Sequence, residues 1–205
     1  MHPEAYLNHT QLKTWENSPN SYRKIFLEGK PIGVNRGMAL GREIAESLEF
    51  DIETGDPLKD LVIAQIPKFE IRDQFIYTEF EHDGTKIMLR IRPDTVKGDY
   101  SAFKEYKTGP ADTWNQRKVD EDSQITFYAT GLYIKLHELF GVGKIPEDIE
   151  LVHAITEYDE NRVPHLTGEV RRYKTSRSLK DVMKMKVRIK RCWKEIGLML
   201  ESELL

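Results

Sequence analysis

The chain has 205 residues, of which 39% are hydrophobic and 32% are charged, and its formal net charge is −3. These values are typical of a soluble globular chain that can bury one substantial core. The only cysteine is Cys192, which excludes an internal disulfide and a Cys-rich zinc or iron–sulfur site within the chain. We expect a single domain over 1–205, with a helical part (1–55), a sheet with its helix (56–175) and a C-terminal helix (176–205).

The N-terminal region is predicted to be helical. Segments 9–18 and 20–29 each begin with a polar residue suited to capping a helix, and a longer helix is predicted over 35–50. The N-terminus has no apolar run typical of a signal peptide, and no segment approaches the roughly 20 apolar residues of a membrane span. These features predict a cytoplasmic protein that does not contact a membrane.

The middle of the chain has the composition of β-strands. Runs at 74–82, 85–94 and 100–108 are separated by the turn sequences DG and KGD, which predicts an antiparallel meander. A helix is predicted over 123–140, followed by strands at 149–158 and 166–175. The expected fold class is therefore α/β, with a central mixed β-sheet that contains the meander and is flanked by helices.

The last predicted element is a long amphipathic helix over 178–205. Its apolar stripe indicates a face that packs on the core or on another subunit; the stripe comprises Val182, Met185, Ile189, Trp193, Ile196 and Leu200.

Charge is distributed unevenly along the chain. Residues 171–194 carry eleven Lys/Arg and one acidic residue, whereas residues 43–83 carry twelve Asp/Glu and three Lys/Arg. A basic stretch of this kind binds a phosphate backbone or forms a solvated helix face, and composition alone leaves both readings open.

Two carboxylates and a lysine are predicted to converge at the second turn of the meander. Glu105 and Lys107 are two residues apart on one strand and therefore share a face. Asp94 ends the preceding strand, and the short segment between the strands folds back as a hairpin that places Asp94 beside Glu105. Such a pair of carboxylates suits Mg²⁺ or Mn²⁺, and Lys107 beside it would position or deprotonate water and offset charge on a phosphate. The alternative is a cross-strand salt bridge that only stabilises the hairpin.

The following helix adds Gln124 and Tyr128, which lie four residues apart on one helix face. PD at 93–94, EYK at 105–107 followed by TG, and then Gln124 with Tyr128, resemble the RecB-like branch of the PD-(D/E)XK nuclease superfamily. The first helices at 9–25 and the segment RGMALGREIAESLE resemble this branch more loosely.

The resemblance implies a restriction-endonuclease-like core and a Mg²⁺- or Mn²⁺-dependent DNA nuclease, expected to be an exonuclease, in recombination, repair or phage DNA processing. By the same resemblance, Asp94 and Glu105 bind the metal, Lys107 assists hydrolysis, and Gln124 and Tyr128 support the site. DNA is the implied substrate, and a helicase or a single-strand annealing protein is the implied partner. The four-cysteine iron–sulfur cluster of some relatives is excluded by the cysteine count.

One position departs from the pattern of the branch. The branch commonly places a histidine about four residues after a glycine such as Gly41, and this chain has Ala45 there. Glu46 and Glu43 are nearby, and Glu46 is the candidate third metal ligand, with a solvated acidic helix face as the alternative.

Five residues outside this motif are candidates for DNA binding. Trp114 and Arg117 lie just past the strand that carries Lys107, where they would stack on or grip a nucleic acid strand. Packing of Trp114 on the core is the alternative. Arg171, Arg172 and Lys174 open the basic stretch and are candidates for phosphate contacts.

Two further functions remain open at this stage. The first is an inactive nuclease-like module that binds DNA or a partner protein, for which Ala45 is one sign. The second is a structural domain whose hairpin carries only an ion pair. The sequence does not distinguish cleavage at an end from internal cleavage, and it leaves polarity, strand preference and oligomeric state open.

Overall fold

The computed structural model describes residues 6–31, 33 and 36–203. Short polar residues initiate several of its helices: Asn8 accepts a hydrogen bond from the Gln11 N–H, and the Gln11 side chain accepts one from the Asn8 N–H. The helices are α1 (His9–Asn17), α2 (Pro19–Tyr22, followed by a π-helical turn over Arg23–Leu27), α3 (Arg36–Phe50), α4 (Pro57–Gln65), α5 (Gln116–Asp120), α6 (Ser123–Phe140) and α7 (Leu179–Glu203). None of these helices is long and apolar enough to cross a membrane.

The strands form two separate sheets. A five-stranded sheet has the order β1-β4-β5-β6-β7, in which only β5 and β6 are parallel, and β2 and β3 form an antiparallel hairpin of their own. The strands are β1 (Ile71–Arg72), β2 (Ile76–His82), β3 (Thr85–Ile91), β4 (Thr95–Val96), β5 (Ala102–Gly109), β6 (Asp148–Tyr158) and β7 (Pro164–Thr175).

The predicted mixed sheet flanked by helices is confirmed, but the predicted partner of its third strand is wrong. The strand β5 pairs with β4 and β6, not with β3. The chain leaves the hairpin at Pro93, which has no N–H to donate to a sheet and therefore breaks the ladder. Two residues later the backbone resumes pairing as β4, so that Asp94 lies at the junction of the two sheets.

The sequence-based prediction also missed the helix α4. The Asp56 side chain accepts hydrogen bonds from the N–H groups of Leu58 and Lys59, and Pro57 occupies the first turn. An Asp-Pro pair of this kind is a helix-start signal that can be recognised in the sequence. The predicted helices over 9–18, 20–29, 35–50, 123–140 and 178–205 are present, although Asn35 and residues 204–205 lie outside the described part.

Helices cover both faces of the five-stranded sheet. On one face Phe103 and Leu151 pack with α1, α6, α7 and the hairpin. On the other face Val152 and Ala154 pack with α3 and α4. The sheet is therefore the middle layer between two apolar cores, and alternate residues of β5 and β6 point into different layers.

The helix α6 lies close against the hairpin because of Gly131. A Cβ atom at this position would lie 2.7 Å from a side-chain carbon of Ile91, which is closer than van der Waals contact allows. Glycine therefore permits the helix to approach β3, and this fixes the helix whose first turn carries Gln124.

The apolar stripe of α7 packs on the core of its own chain, as one of the two predicted readings requires. Val182, Met185, Ile189 and Ile196 are buried, and Trp193 and Leu200 pack at the edge of the same cluster. Cys192 is also buried, and burial raises the pKa of its thiol to about 12.

The face of the sheet that packs on α3 contains a buried ion network. The Lys104 ammonium donates to Glu150 at 2.8 Å, and the Arg172 guanidinium binds both oxygens of the same carboxylate. Lys104 is 5% exposed and Glu150 is 1% exposed, so that each charge depends on its partner.

Removal of the central carboxylate should strongly destabilise the fold. We expect Glu150→Ala to lower the free energy of unfolding by about 3 kcal/mol, because it leaves the buried Lys104 ammonium with only the more distant Asp148. The matched control is Glu169→Ala, which breaks the half-exposed pair with Arg171 and should cost at most about 1 kcal/mol. Urea unfolding followed by circular dichroism measures both; equal losses would contradict the role of the network.

Candidate active site

The junction between the two sheets brings Asp94 and Glu105 together. Thr95 is paired with Lys104 in the antiparallel register of β4 and β5, which places Asp94 next to Glu105 at the following position. The backbone N–H of Tyr106 donates to Asp94 Oδ2 at 2.5 Å, so that the Asp94 carboxylate is held against the strand.

The alternation of β5 places the charged groups as the sequence predicts. The Lys107 ammonium donates to Glu105 Oε1 at 2.6 Å, since both side chains lie on the face that packs on α6. Lys104 and Tyr106 lie on the opposite face, where the Tyr106 hydroxyl donates to the carbonyl oxygen of Pro67 at 2.8 Å.

The first turn of α6 completes the cluster. The Lys107 ammonium also donates to Gln124 Oε1 at 3.1 Å, and Gln124 Nε2 donates to the Tyr128 hydroxyl at 2.9 Å. Because Gln124 and Tyr128 are one helical turn apart, Tyr128 can hold the Gln124 amide while that amide binds the ammonium group. The structure therefore brings together Asp94, Glu105 and Lys107 with both helix residues.

The electrostatic balance of this cluster is negative. Burial and the nearby Glu105 carboxylate raise the pKa of Asp94 well above its usual range. Burial also raises the pKa of Glu105, although Lys107 opposes this shift. Burial alone would lower the pKa of Lys107, but the two carboxylates raise it overall. Two acids thus share one ammonium group, and the raised pKa values of both show that their negative charges are only partly compensated.

One buried oxygen of this cluster has no hydrogen-bond partner in the part of the chain that the structure describes. Glu105 Oε2 is buried and has no hydrogen-bond partner within the described residues. A carboxylate oxygen without a partner in such a place is costly, and buried polar atoms are rarely left so. A hydrogen-bonded hairpin salt bridge would satisfy both oxygens, whereas this arrangement leaves one oxygen for a cation.

The carboxylates open into a cleft of about 460 Å³ between α3 and α6. Its lining comes from five parts of the chain: Arg42, Ala45, Glu46, Glu49 and Phe50 of α3; Asp73; Arg92 and Asp94; Glu105 of β5; and Gln124 and Tyr128 of α6.

The helix α3 is held close to the end of β5. A Cβ atom at Gly41 would lie 3.0 Å from Thr108 Oγ1, closer than ordinary contact, so that glycine favours close packing of the helix on β5. This contact brings the next turn of the helix, with Ala45, over the carboxylates. Ala45, where the sequence resemblance leads one to expect a histidine, therefore faces the cleft with only a methyl group.

The two candidate metal ligands of this helix, Glu46 and Glu43, have different surroundings. Glu46 is exposed and lines the cleft, whereas Glu43 forms an ion pair with Lys59 at 2.6 Å. Across residues 6–31, 33 and 36–203, no three His, Cys, Asp or Glu side chains are gathered closely enough to enclose a metal. The donor set that is present, two carboxylates with a buried unsatisfied oxygen, fits Mg²⁺ or Mn²⁺, which bind through one or two carboxylates and keep several waters.

The five predicted DNA-binding residues lie away from this cleft lining. Trp114 packs partly buried against the core, as its alternative reading expects, and its carbonyl oxygen accepts from Tyr173. Arg117 is exposed and pairs with Glu121. The remaining three are on the edge strand β7: Arg171 pairs with Glu169, Arg172 pairs with Glu150, and Lys174 is exposed. Their contact with DNA stays a prediction.

Three cleft residues escaped the sequence-based prediction. Arg92 directly precedes Pro93, and its guanidinium pairs with the Asp73 carboxylate. Glu49 lies one turn after Ala45 on α3; burial and a hydrogen bond with Asp73 raise its pKa. The helical spacing from Ala45 pointed to Glu49, but no local pattern indicated that Asp73 lies beside it.

The fold is shared with solved nuclease structures. A protein assigned as an exonuclease from Eubacterium rectale matches with a TM-score of 0.54 at 9% identity, over 94% of this chain and 80% of that one. A phage-related exonuclease from Haemophilus somnus matches with a TM-score of 0.51 at 12% identity, over 88% and 79%. No family model and no curated protein matches the sequence. These likenesses confirm the predicted restriction-endonuclease-like fold.

Substitution of Glu46 and of Glu43 on α3 should have different effects on metal binding. We expect Glu46→Ala to weaken Mn²⁺ binding, because Glu46 lines the cleft and a carboxylate there adds to the negative potential around the ion. Glu43→Ala is the matched control and should bind Mn²⁺ like the parent, since Glu43 is paired with Lys59. Isothermal titration calorimetry measures both; identical titrations of parent and both variants would show that Glu46 contributes nothing to metal binding.

Proposed function

We propose that this chain is a divalent-metal-dependent nuclease that hydrolyses phosphodiester bonds in DNA. The observation that carries the proposal is the buried, unsatisfied oxygen of Glu105 beside Asp94 and the Lys107 ammonium. Asp94 and Glu105 line an open cleft, from which a polymer substrate can approach them. The shared fold of two exonucleases supports the same assignment and favours cleavage from an end.

The carboxylates of Asp94 and Glu105 would hold the Mg²⁺ or Mn²⁺ ion. A bound divalent ion supplies a Lewis acid that polarises a phosphoryl oxygen and lowers the pKa of coordinated water. Tyr106 assists this role, because its N–H fixes one oxygen of Asp94 and leaves the other free to face the cleft.

Lys107 provides the positive charge of the site. Its ammonium lies within reach of a phosphate bound at the carboxylates, where it offsets the charge that develops on the phosphate oxygens in the transition state and orients the attacking water. Gln124 holds this ammonium from the other side, and Tyr128 in turn holds Gln124. The helix α6 thus positions the lysine before substrate arrives, so that little reorganisation is needed.

Ala45 favours one alternative function, an inactive module that binds DNA or a partner protein. It lines the cleft with a side chain that cannot bind a metal. The intact set of Asp94, Glu105 and Lys107 supports the enzyme instead, and a cleavage assay separates the two. Action in the cytoplasm, in recombination, repair or phage DNA processing together with a helicase or a single-strand annealing protein, belongs to the same proposal.

The lysine should matter for cleavage and not for binding. We expect Lys107→Ala to lower the cleavage rate by about 100- to 1,000-fold, because its charge acts mainly on the transition state, while DNA affinity stays nearly unchanged. The matched control is Lys97→Ala, which lies between β4 and β5, is half-exposed and pairs with Asp99. It should cleave like the parent. End-labelled DNA measures the rates, and fluorescence anisotropy in EDTA measures the affinities. A Lys107→Ala variant that cuts as fast as the parent would remove the lysine from the mechanism.

Cleavage should follow the chemistry of an oxygen-ligand site. We expect digestion with Mg²⁺ or Mn²⁺, weak digestion with Ca²⁺, whose looser geometry positions water poorly, and none in EDTA. Incubation of linear and closed circular DNA with each ion measures this and also distinguishes cleavage at ends from internal cleavage. Robust digestion in EDTA would overturn the metal role of the carboxylates, and binding without cleavage under every ion would favour the inactive module.

A further inference from the structure

The outward face of the hairpin β2–β3 carries an unusual group of side chains. Phe75 precedes β2 and Tyr77 lies on it, and they are 47% and 45% exposed. Tyr77 is paired across the hairpin with Arg90, and Arg92 follows at the end of β3. Tyr6 covers the same face from the N-terminal segment. We call Tyr6, Phe75, Tyr77, Arg90 and Arg92 the hairpin platform.

The members of the hairpin platform stack on one another. The Arg90 guanidinium lies 3.8 Å from the centre of the Tyr6 ring and 4.7 Å from that of Phe75. Arg92 lies 4.8 Å from the Phe75 ring, and Tyr6 meets Tyr77 edge to face at 5.8 Å. The result is a row in which guanidinium groups and aromatic rings alternate, and each holds the next in place.

The hairpin platform leads into the candidate active site. Arg92 lines the same cleft as Asp94 and Glu105, and its guanidinium is fixed there by the Asp73 carboxylate. From Arg92 the row continues outward through Phe75 to Tyr77. A chain bound at the carboxylates can therefore continue along the hairpin without leaving the surface.

The chemistry of the row matches an unpaired nucleic acid strand. Exposed aromatic rings stack on bases of any sequence, and guanidinium groups bind phosphates and stack as well. Each guanidinium has five N–H donors, so that donors remain after the contacts of Arg90 with the Tyr6 hydroxyl and of Arg92 with Asp73. A duplex would present its bases stacked inside and would leave the rings without a partner.

Acidic residues limit the hairpin platform at both ends. Beyond Tyr77, the same face of the hairpin carries Glu79, paired with Lys86, and Glu81. At the cleft end, the Asp73 carboxylate pairs with Arg92, and the Glu49 carboxylate lies beside this pair. Two residues along each strand span about 7 Å, which is the height of about two stacked bases. The platform therefore suits a short unpaired end better than a long strand.

We propose that the hairpin platform binds the unpaired end of the DNA strand whose phosphodiester lies at Asp94 and Glu105. This inference rests on the proposed nuclease function and adds the form of the substrate, a strand that is single-stranded next to the point of cleavage. The arginines hold the backbone of that strand and the aromatic rings hold its bases.

The test compares a short single-stranded oligothymidine with a blunt duplex of the same length, both fluorescently labelled, by anisotropy in EDTA. The variants are Phe75→Ala, Phe75→Leu, which keeps apolar packing but not the ring, and Phe75→Trp, which restores a ring. Phe140→Ala is the matched control, because Phe140 is 63% exposed and lies at the far end of α6, about 24 Å along the helix from Gln124. Digestion of DNA in Mg²⁺ by parent and variants is measured in parallel.

We expect Phe75→Ala and Phe75→Leu to bind the single strand at least about fivefold more weakly, with Phe75→Trp and Phe140→Ala close to the parent. Affinity for the blunt duplex should change little. If all four variants bind the single strand like the parent, the hairpin platform serves another occupant, such as a partner protein, and the inference is overturned even though the parent cuts DNA. If the parent cuts no DNA but the Phe75→Ala and Phe75→Leu variants bind the single strand more weakly, the inference on the hairpin platform is supported and the nuclease proposal is overturned.

Discussion

The arrangement of the site depends on the burial of one carboxylate group. Glu105 is 3% exposed, and it shares a single ammonium group with Asp94. Burying this charge is unfavourable unless a cation balances it, because desolvation of a carboxylate costs several kcal/mol. Lys107 satisfies one oxygen and leaves the other without a partner among the described residues. The fold thus maintains a local deficit of positive charge that a divalent ion can fill.

Three structural features hold this deficit in place. Pro93 ends the hairpin and turns the chain, so that Asp94 meets β5 at the start of the second sheet. Gly131 lets α6 pack directly on β3, which brings Gln124 to the lysine. Gly41 does the same for α3 and brings the acidic face of that helix over the cleft. None of these residues touches the carboxylate pair through a side chain, yet each determines the distance between groups that do.

Much of this site could be predicted from local pattern, because its members are close in sequence. The strand period places Glu105 beside Lys107, and the helical period places Gln124 beside Tyr128. The pairing partner of β5 was harder to predict, since the turn sequence before β5 is compatible with either β3 or β4 as its neighbour. The missing N–H of Pro93 ends β3 and thereby selects β4. Contacts between distant segments, such as Asp73 with Arg92 or Arg172 with Glu150, produce no periodic pattern in the sequence from which they could be predicted. For this reason the sequence did not reveal that Arg172, in the basic stretch with predicted phosphate contacts, forms an ion pair with the buried Glu150.

The central claim is that the Asp94 and Glu105 carboxylates form a divalent-cation site, and titration of Mn²⁺ tests it most directly. Glu105→Gln keeps the shape of the side chain and removes its charge, while Glu121→Gln, at an exposed ion pair, serves as the control. The parent and Glu121→Gln are predicted to bind Mn²⁺ equally, as measured by the loss of the free-ion signal in electron paramagnetic resonance, and Glu105→Gln is predicted to lose this binding. Unchanged Mn²⁺ affinity in Glu105→Gln, with the fold intact by circular dichroism, would contradict the account.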